Sequence, residues 1–190
     1  EDADLVLAGG VEIMSSGPHT VKGFRWGNRM GDSKVCDMML GSLQDPFGHG
    51  HMGITAENIS DRYQISREMQ DNFALESQKR AKYAIDNGLF KDQIIPIEVK
   101  EKKGSEFFEL DEHLKPGTTK ESLSNLRPAF KPDGSVTAGN ASGINDGAAS
   151  LVLSGEKRAK EGKPLAQILS YGFGGVDPDE MGMGPVPATK

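Results

Sequence analysis

One cysteine, Cys36, is all that 190 residues contain, and a lone thiol closes no internal disulfide. Nothing in the sequence therefore asks for an oxidising compartment. Long apolar runs are missing too. No stretch approaches the roughly 20 residues of a membrane-spanning helix, and the mean hydropathy is -0.48, so no membrane association is expected. A secretory leader is not apparent, because Glu1, Asp2 and Asp4 stand where a basic start would be. Cytoplasm is the expected location. Positive charge is also short. With 22 Lys and Arg against 28 Asp and Glu, the net charge is -6, which leaves no general nucleic-acid surface, since phosphate-backbone binding rests on accumulated Lys and Arg. A local phosphate site stays open.

Glycine is abundant: 24 residues of 190, against a usual share of about 7%. Such glycines mark tight turns or a ligand lying close to the main chain. The 36% of apolar residues is enough for a core, and the length exceeds one ordinary domain without fixing a domain count.

Along the chain, Asp4-Leu5-Val6-Leu7-Ala8 reads as a short buried strand that Gly9-Gly10 turns sharply into the next element. From Ser16 to Gly50 turn residues dominate, with Val35 to Leu40 as the one apolar cluster, which predicts an irregular or hairpin-rich excursion. Met52, Ala56, Ile59 and Tyr63 recur at helical spacing and predict a helix buried along that face. A second helix is predicted from a Ser66 cap, with Glu68 in its first turn, to a stop at Gly88. Its core face would be Met69, Phe73, Ala81, Ala84 and Ile85. Ile94 to Val99 reads as a strand that Pro96 demotes to a sheet edge.

Between Lys100 and Ser135 no period emerges, and so long a connection is usually functional or disordered. We expect it to be functional. Beyond the Gly-rich run Ala138 to Gly143, strands are predicted at Ala148–Leu153 and Ala166–Tyr171, with a polar helix start at Glu156–Glu161 between them. Pro185 to Lys190 reads as a loop entering a helix beyond the chain. The pattern predicts an α/β fold whose core sheet is interrupted by a loop-built domain, with both ends cut inside folded structure.

Five segments resemble the thiolase family in family order. They are Ala8-Gly9-Gly10-Val11-Glu12-Ile13-Met14-Ser15, His51 to Asn58 (HMGITAEN), Leu126-Arg127-Pro128-Ala129-Phe130, Val136 to Ala149 (VTAGNASGINDGAA) and Met181 to Ala188 (MGMGPVPA). The resemblance is to the acetyl-CoA C-acetyltransferase type. It implies a thiolase-like αβαβα fold interrupted by a loop-rich α+β insertion domain, incomplete at both ends. Residues 1–14 and 145–165 would be remnants of the first half, 15–144 the loop domain that holds coenzyme A, and 166–190 the start of the second half.

The implied reaction is a Claisen condensation of two acetyl-CoA to acetoacetyl-CoA, or its thiolytic reverse, through an acyl-cysteine. It needs an activated thiolate, a second cysteine to shuttle the proton and an oxyanion site. None of the family motifs that carry these groups occurs in the sequence, so no catalytic residue is assigned and the chain alone is expected to be inactive. Cys36, between Ser33-Lys34-Val35 and Asp37-Met38-Met39, does not match the family's nucleophile context.

Binding remains. The resemblance implies that Leu43, His51 and Met52 face the acyl and pantetheine end, and that Ser142, Gly143 and Ile144 line the channel. Leu126, Ala129, Phe130 and Ala138 would complete the apolar wall, with Met181 closing it. Lys115 and Ser122 correspond to the adenine and phosphate end. Lysine at 115 puts stacking in doubt, since it lacks the planar face of arginine.

Read without the family, His51 is a capping or core histidine. His49-Gly50-His51 is only half of a metal site, so no metal is expected. The glycines of 139–147 lack a dinucleotide or P-loop spacing. Coenzyme A is thus expected as substrate, with no further cofactor. Alternatives are a 3-ketoacyl-CoA thiolase of fatty-acid breakdown and a non-catalytic coenzyme A-binding module. The excursion Pro18 to Leu40 matches the region through which the family's tetramers assemble, and its Arg25, Trp26, Arg29 and Met30 are interface-enriched types. A homotetramer of the complete protein is therefore expected.

Overall fold

The computed structural model describes residues 3–102 and 104–190, so Glu1 and Asp2 of the acidic opening lie outside the described residues. In chain order, β1 (Leu5–Ile13) leads through a 3-10 turn to β2 (His19–Val21), then β3 (Val35–Asp37) and α1 (Met38–Ser42). α2 (Met52–Tyr63) and α3 (Arg67–Asp86) follow, and after them β4 (Ile97–Glu101), β5 (Gly104–Phe108) and α4 (Lys120–Ser124). The chain closes with β6 (Asp146–Ser154), α5 (Glu156–Ala159), a 3-10 stretch at Pro178–Met183 and α6 (Pro185–Thr189). No helix among the described residues is long and apolar enough to cross a membrane.

The described strands form three antiparallel pairs, β1 with β6, β2 with β3 and β4 with β5. Two units result. One runs to Ile59 and resumes at Ile144–Lys190, and the other is Ser60–Gly143. In the first, β1 and β6 align from Leu5 opposite Ser154 to Ile13 opposite Asp146. Asp146 closes that end of the ladder: its carboxylate accepts the Ser15 hydroxyl and, at 2.9 Å, the Ser15 amide. These bonds hold the Asp146 carboxyl below its ordinary pKa. Apolar side chains stand open on both faces of the pair, with Leu7 75%, Val11 70% and Val152 69% exposed on one and Leu151 66% on the other.

Gly9-Gly10 does not turn the chain. Both lie inside β1, opposite Ser150 and Ala149. The reason for glycine at position 9 is close approach: a Cβ there would stand 2.4 Å from the Ala149 carbonyl oxygen, whereas at Gly10 it would meet nothing within 4 Å. Backbone cannot step aside as a side-chain tip can. Gly9→Ala is therefore expected to destabilise by about 2 kcal/mol, while Gly10→Ala stays within about 0.5 kcal/mol. Urea midpoints of the two variants check this, and equal midpoints would refute it.

In the second unit α3 matches its predicted limits. Ser66 caps it by accepting the Met69 amide at 3.2 Å, and past its end Gly88 has φ +65. The predicted inner faces differ, however. Ala84 is buried as expected, but Met69 and Phe73 are 57% and 79% exposed, and the polar Asp71 is buried instead. On α2, Met52 and Tyr63 are exposed while Thr55, Glu57 and Ser60 are buried. Polar residues take the interior because their side chains find partners there: Thr55 donates to the Met52 carbonyl and Ser60 to the Ile65 carbonyl.

The stretch from Lys100 to Ser135 is more ordered than its sequence predicts. β5 pairs with β4, which starts just after Pro96. α4 opens on a capping box in which Thr119 and Ser122 satisfy each other's amides at 2.9 and 3.1 Å. Ala166–Tyr171 forms no strand, since its main chain pairs with no strand among the described residues. The segment expected to be a loop at the C-terminal end already winds into α6 at Pro185–Thr189, where Pro185 sits in the first turn, which has no amide to lose.

Candidate functional site

The residues implied for ligand binding fall into both units. In the first, a loop between α1 and α2 is drawn shut at its base. The Met52 amide donates to the Leu43 carbonyl at 2.9 Å, and Gln44 bridges His51. Within it the Asp45 amide donates to the Gly50 carbonyl at 2.8 Å, and the Asp45 carboxylate accepts the amides of Phe47 and His49 at 2.8 and 3.0 Å. Leu43, His51 and Met52 are thereby brought together. His51 Nδ1 accepts the Gly53 amide at 3.0 Å, which is N-cap geometry for α2 and fixes the plane of its ring.

Met181 belongs to the same unit, in the Pro178–Met183 turn, and is 43% exposed. That turn is fastened to α2, because Asn58 Nδ2 donates to the Asp179 carbonyl at 3.1 Å. His49 Nδ1 also meets the Asp179 carboxylate. This hydrogen bond, aided by the charges of Asp179, Asp45 and Asp177, holds the His49 pKa above its ordinary value, against a smaller desolvation effect. Ile144, also in this unit, is exposed.

In the second unit the stretch carrying Leu126, Ala129, Phe130, Ala138, Ser142 and Gly143 folds back on itself: the Ala129 amide donates to the Val136 carbonyl at 2.9 Å. A buried polar network underlies it. Asp71, 3% exposed, accepts Arg67 Nε at 2.8 Å on one oxygen and Asn140 Nδ2 at 3.0 Å on the other. Asn140 in turn accepts the Thr137 amide at 2.7 Å and donates to the Ser135 carbonyl at 3.1 Å. Arg67 Nη2 reaches the carbonyls of Leu123 and Leu126 at 2.6 and 3.0 Å. Gln70 spans Ser60, Ser135 and the Ile65 carbonyl. With these partners set, Leu126, Ala129, Ala138 and Ser142 are left facing outward.

Ser122 and Lys115 differ in what they have to offer. The Ser122 hydroxyl is committed to the capping box, donating to the Thr119 carbonyl at 2.9 Å and accepting the Thr119 amide. Lys115 is exposed and spends only its backbone amide, on Gln78 Oε1 at 2.9 Å. Its ammonium pairs with no carboxylate among the described residues. Sequence reasoning missed Arg67, Asp71, Asn140 and Asp179, and weighed His49 only as half of a metal pair. Of these only the Arg67–Asp71 spacing of four on a helix is a local signal. Cys36 sits half-buried in β3 opposite Thr20. Among the described residues no three His, Cys, Asp or Glu gather as a metal site would require.

Residues 1–157 match the family model of the thiolase N-terminal domain. Beta-ketothiolase BktB of Cupriavidus necator is 52% identical over 192 residues, covering 100% of this chain and 49% of its own length. Among solved structures, acetyl-CoA acetyltransferase of Bacillus anthracis superposes with a TM-score of 0.94 at 49% identity, over 98% of this chain and 48% of that one. Human mitochondrial 3-ketoacyl-CoA thiolase in complex with CoA superposes with a TM-score of 0.92 at 46% identity, over 99% of this chain and 47% of that one. The chain spans about half the length of the relatives it matches.

Proposed function

The chain belongs to the thiolase family, and from that premise we propose that it provides the coenzyme A-binding surface of an acetyl-CoA C-acetyltransferase. The complete protein would condense two acetyl-CoA to acetoacetyl-CoA or run the thiolytic reverse, through an acyl-cysteine outside these 190 residues. The observation that carries this reading is the likeness, at about half identity along the whole chain, to proteins named acetyl-CoA acetyltransferase. In support, the loop closed by Leu43 and Met52 groups three side chains suited to a short acyl and pantetheine end. Lys115 keeps an uncommitted ammonium for a phosphate. Residues 15–144 are the proposed loop domain, and a homotetramer is the proposed assembly of the complete protein.

A second reading, a 3-ketoacyl-CoA thiolase, is favoured by the likeness to the human mitochondrial enzyme. It differs in acyl length, so the two separate on binding: acetyl-CoA should bind at least as well as decanoyl-CoA if the short-chain reading holds.

Calorimetric titration of this chain with CoA tests the proposal. Binding is expected, and Lys115→Ala should weaken it about fivefold at low salt, as befits one exposed ionic contact. Acetoacetyl-CoA thiolysis with excess CoA should be absent from both the parent chain and Cys36→Ala. Turnover by the parent that Cys36→Ala abolishes would make Cys36 the nucleophile and overturn the assignment.

A further inference from the structure

His49 is a residue that the proposed coenzyme A site does not use, yet it joins two of the segments that would build that site. It sits, half-buried, on the loop whose ends are Leu43 and Met52, where Asp45 gathers the amides of Phe47 and His49. Its ring meets Asp179 at the start of the Pro178–Met183 turn. Asp179 is itself held in place, since its amide donates to the Asp177 carboxylate at 3.1 Å and its carbonyl accepts Asn58 of α2. Gly182 in the same turn lies against α2 so closely that a Cβ there would stand 3.0 Å from Ile59 Cδ1.

We propose that His49 is a positioning residue, a proton-sensitive clasp that ties the loop bearing Leu43, His51 and Met52 to the turn bearing Met181 and so sets the width of the acyl end of the site. This rests on the reading of those four residues as substrate-facing. The groups that face the ring are all carboxylates, Asp45 from its own loop and Asp177 and Asp179 from the turn. They favour the imidazolium, so the folded clasp titrates above the ordinary 6.5. The group is raised on folding, so its contribution is complete below 6.5 and is lost as the pH rises through the raised value. The neutral ring still donates one hydrogen bond but no longer carries the charge, and the turn loosens. Both partners are part-exposed, 30% and 56%, so the effect on acetyl-CoA affinity is about twofold to fivefold.

The test uses the 190-residue chain with 13C-labelled methionine methyls, in which the His49 ring resonances and the Met52 and Met181 methyls are followed from pH 5 to 9. Acetyl-CoA affinity is measured at both ends of the range. The Met181 methyl is expected to shift with the midpoint of His49, above 6.5. Asp179→Asn should return that midpoint toward 6.5 and uncouple the methyl, and acetyl-CoA should bind more tightly at low pH in the parent only. His49→Gln, which keeps a donor without a charge, should fold and show no pH dependence. A Met181 methyl blind to His49, or a pH profile unchanged by either variant, overturns the clasp. If the methyl follows His49 but no acetyl-CoA binds at any pH, the clasp exists, and it is the coenzyme A reading, with the clasp's effect on affinity, that falls.

Discussion

Replacing Asp71 by alanine is expected to cost about 3 kcal/mol of stability, the low end for removing one partner of a buried ion pair. It should also weaken the proposed coenzyme A binding by more than tenfold. The carboxylate is 3% exposed and has a different donor on each oxygen, Arg67 on one and Asn140 on the other. Truncation leaves the Arg67 Nε–H and one N–H of the Asn140 amide without an acceptor in a place water reaches poorly, and each loss carries a desolvation cost. Arg67 retains the carbonyls of Leu123 and Leu126 and is 26% exposed, which keeps the figure at the low end. Asn140 has less in reserve, for it also holds the Thr137 amide and the Ser135 carbonyl, and through them the bend that precedes Ser142.

Asp71→Asn separates shape from charge. The amide matches the carboxylate in size but offers one acceptor where two donors converge, so one donor faces another donor. We expect about 2 kcal/mol from that variant. Urea unfolding followed by circular dichroism reads both, with CoA titration beside it. An Asp71→Ala midpoint equal to that of the parent would remove the network from any account of this unit's stability.

That network shows where the sequence stops being informative. α3 is legible from the Ser66 cap, Glu68 in its first turn and the Gly88 stop, and β1 and β6 from apolar runs, because those signals lie within a few neighbouring residues. The strand expected from Ile94 starts only at Ile97, because Pro96, expected inside it, cannot donate to a ladder. Apolar spacing marks the buried side of α2 and α3 only in part, holding at Ala84 but not at Met52, Tyr63, Met69 or Phe73. In this fold Thr55, Glu57, Ser60 and Asp71 occupy it. Their partners are remote: Asp71 and Asn140 are 69 residues apart, and Ser60 and Ser135 are 75 apart. No local pattern encodes such a pairing.

For the candidate site, the motif resemblance named residues without their local duties. Leu43, His51 and Met52 do gather in one closed loop. Ser122, however, spends its hydroxyl in the capping box of α4, and His51 turns its Nδ1 to the Gly53 amide. His49 stands out in the sequence only as half of a metal pair with His51, and its pairing with Asp179 is invisible because a histidine and an aspartate 130 residues apart form no motif.

Leu123→Ala should be the other large loss, about 3 kcal/mol, within the range for emptying a buried leucine site. Among the described residues the buried apolar side chains are Ala84, Leu123 and Val136, and Leu123 is the largest, at 3% exposure. It lies over Gly139, where a Cβ would come within 2.6 Å of Leu123 Cδ2 and 2.5 Å of Leu126 Cδ1. Gly139→Ala alone is accordingly expected to cost about 2 kcal/mol by overpacking. The two leucines respond differently to that methyl. Leu126 is 37% exposed and can rotate away, while Leu123 is buried and cannot. Once Leu123 is truncated, the methyl at 139 enters the space it vacated. The double variant should therefore be more stable than the sum of the single losses by about 1 kcal/mol or more, a coupling that residues in direct contact can show and distant ones do not. Four urea midpoints close this cycle. Strict additivity would mean that Leu123 and Gly139 do not share one packed site, and that position 139 is glycine for some reason other than the leucines above it.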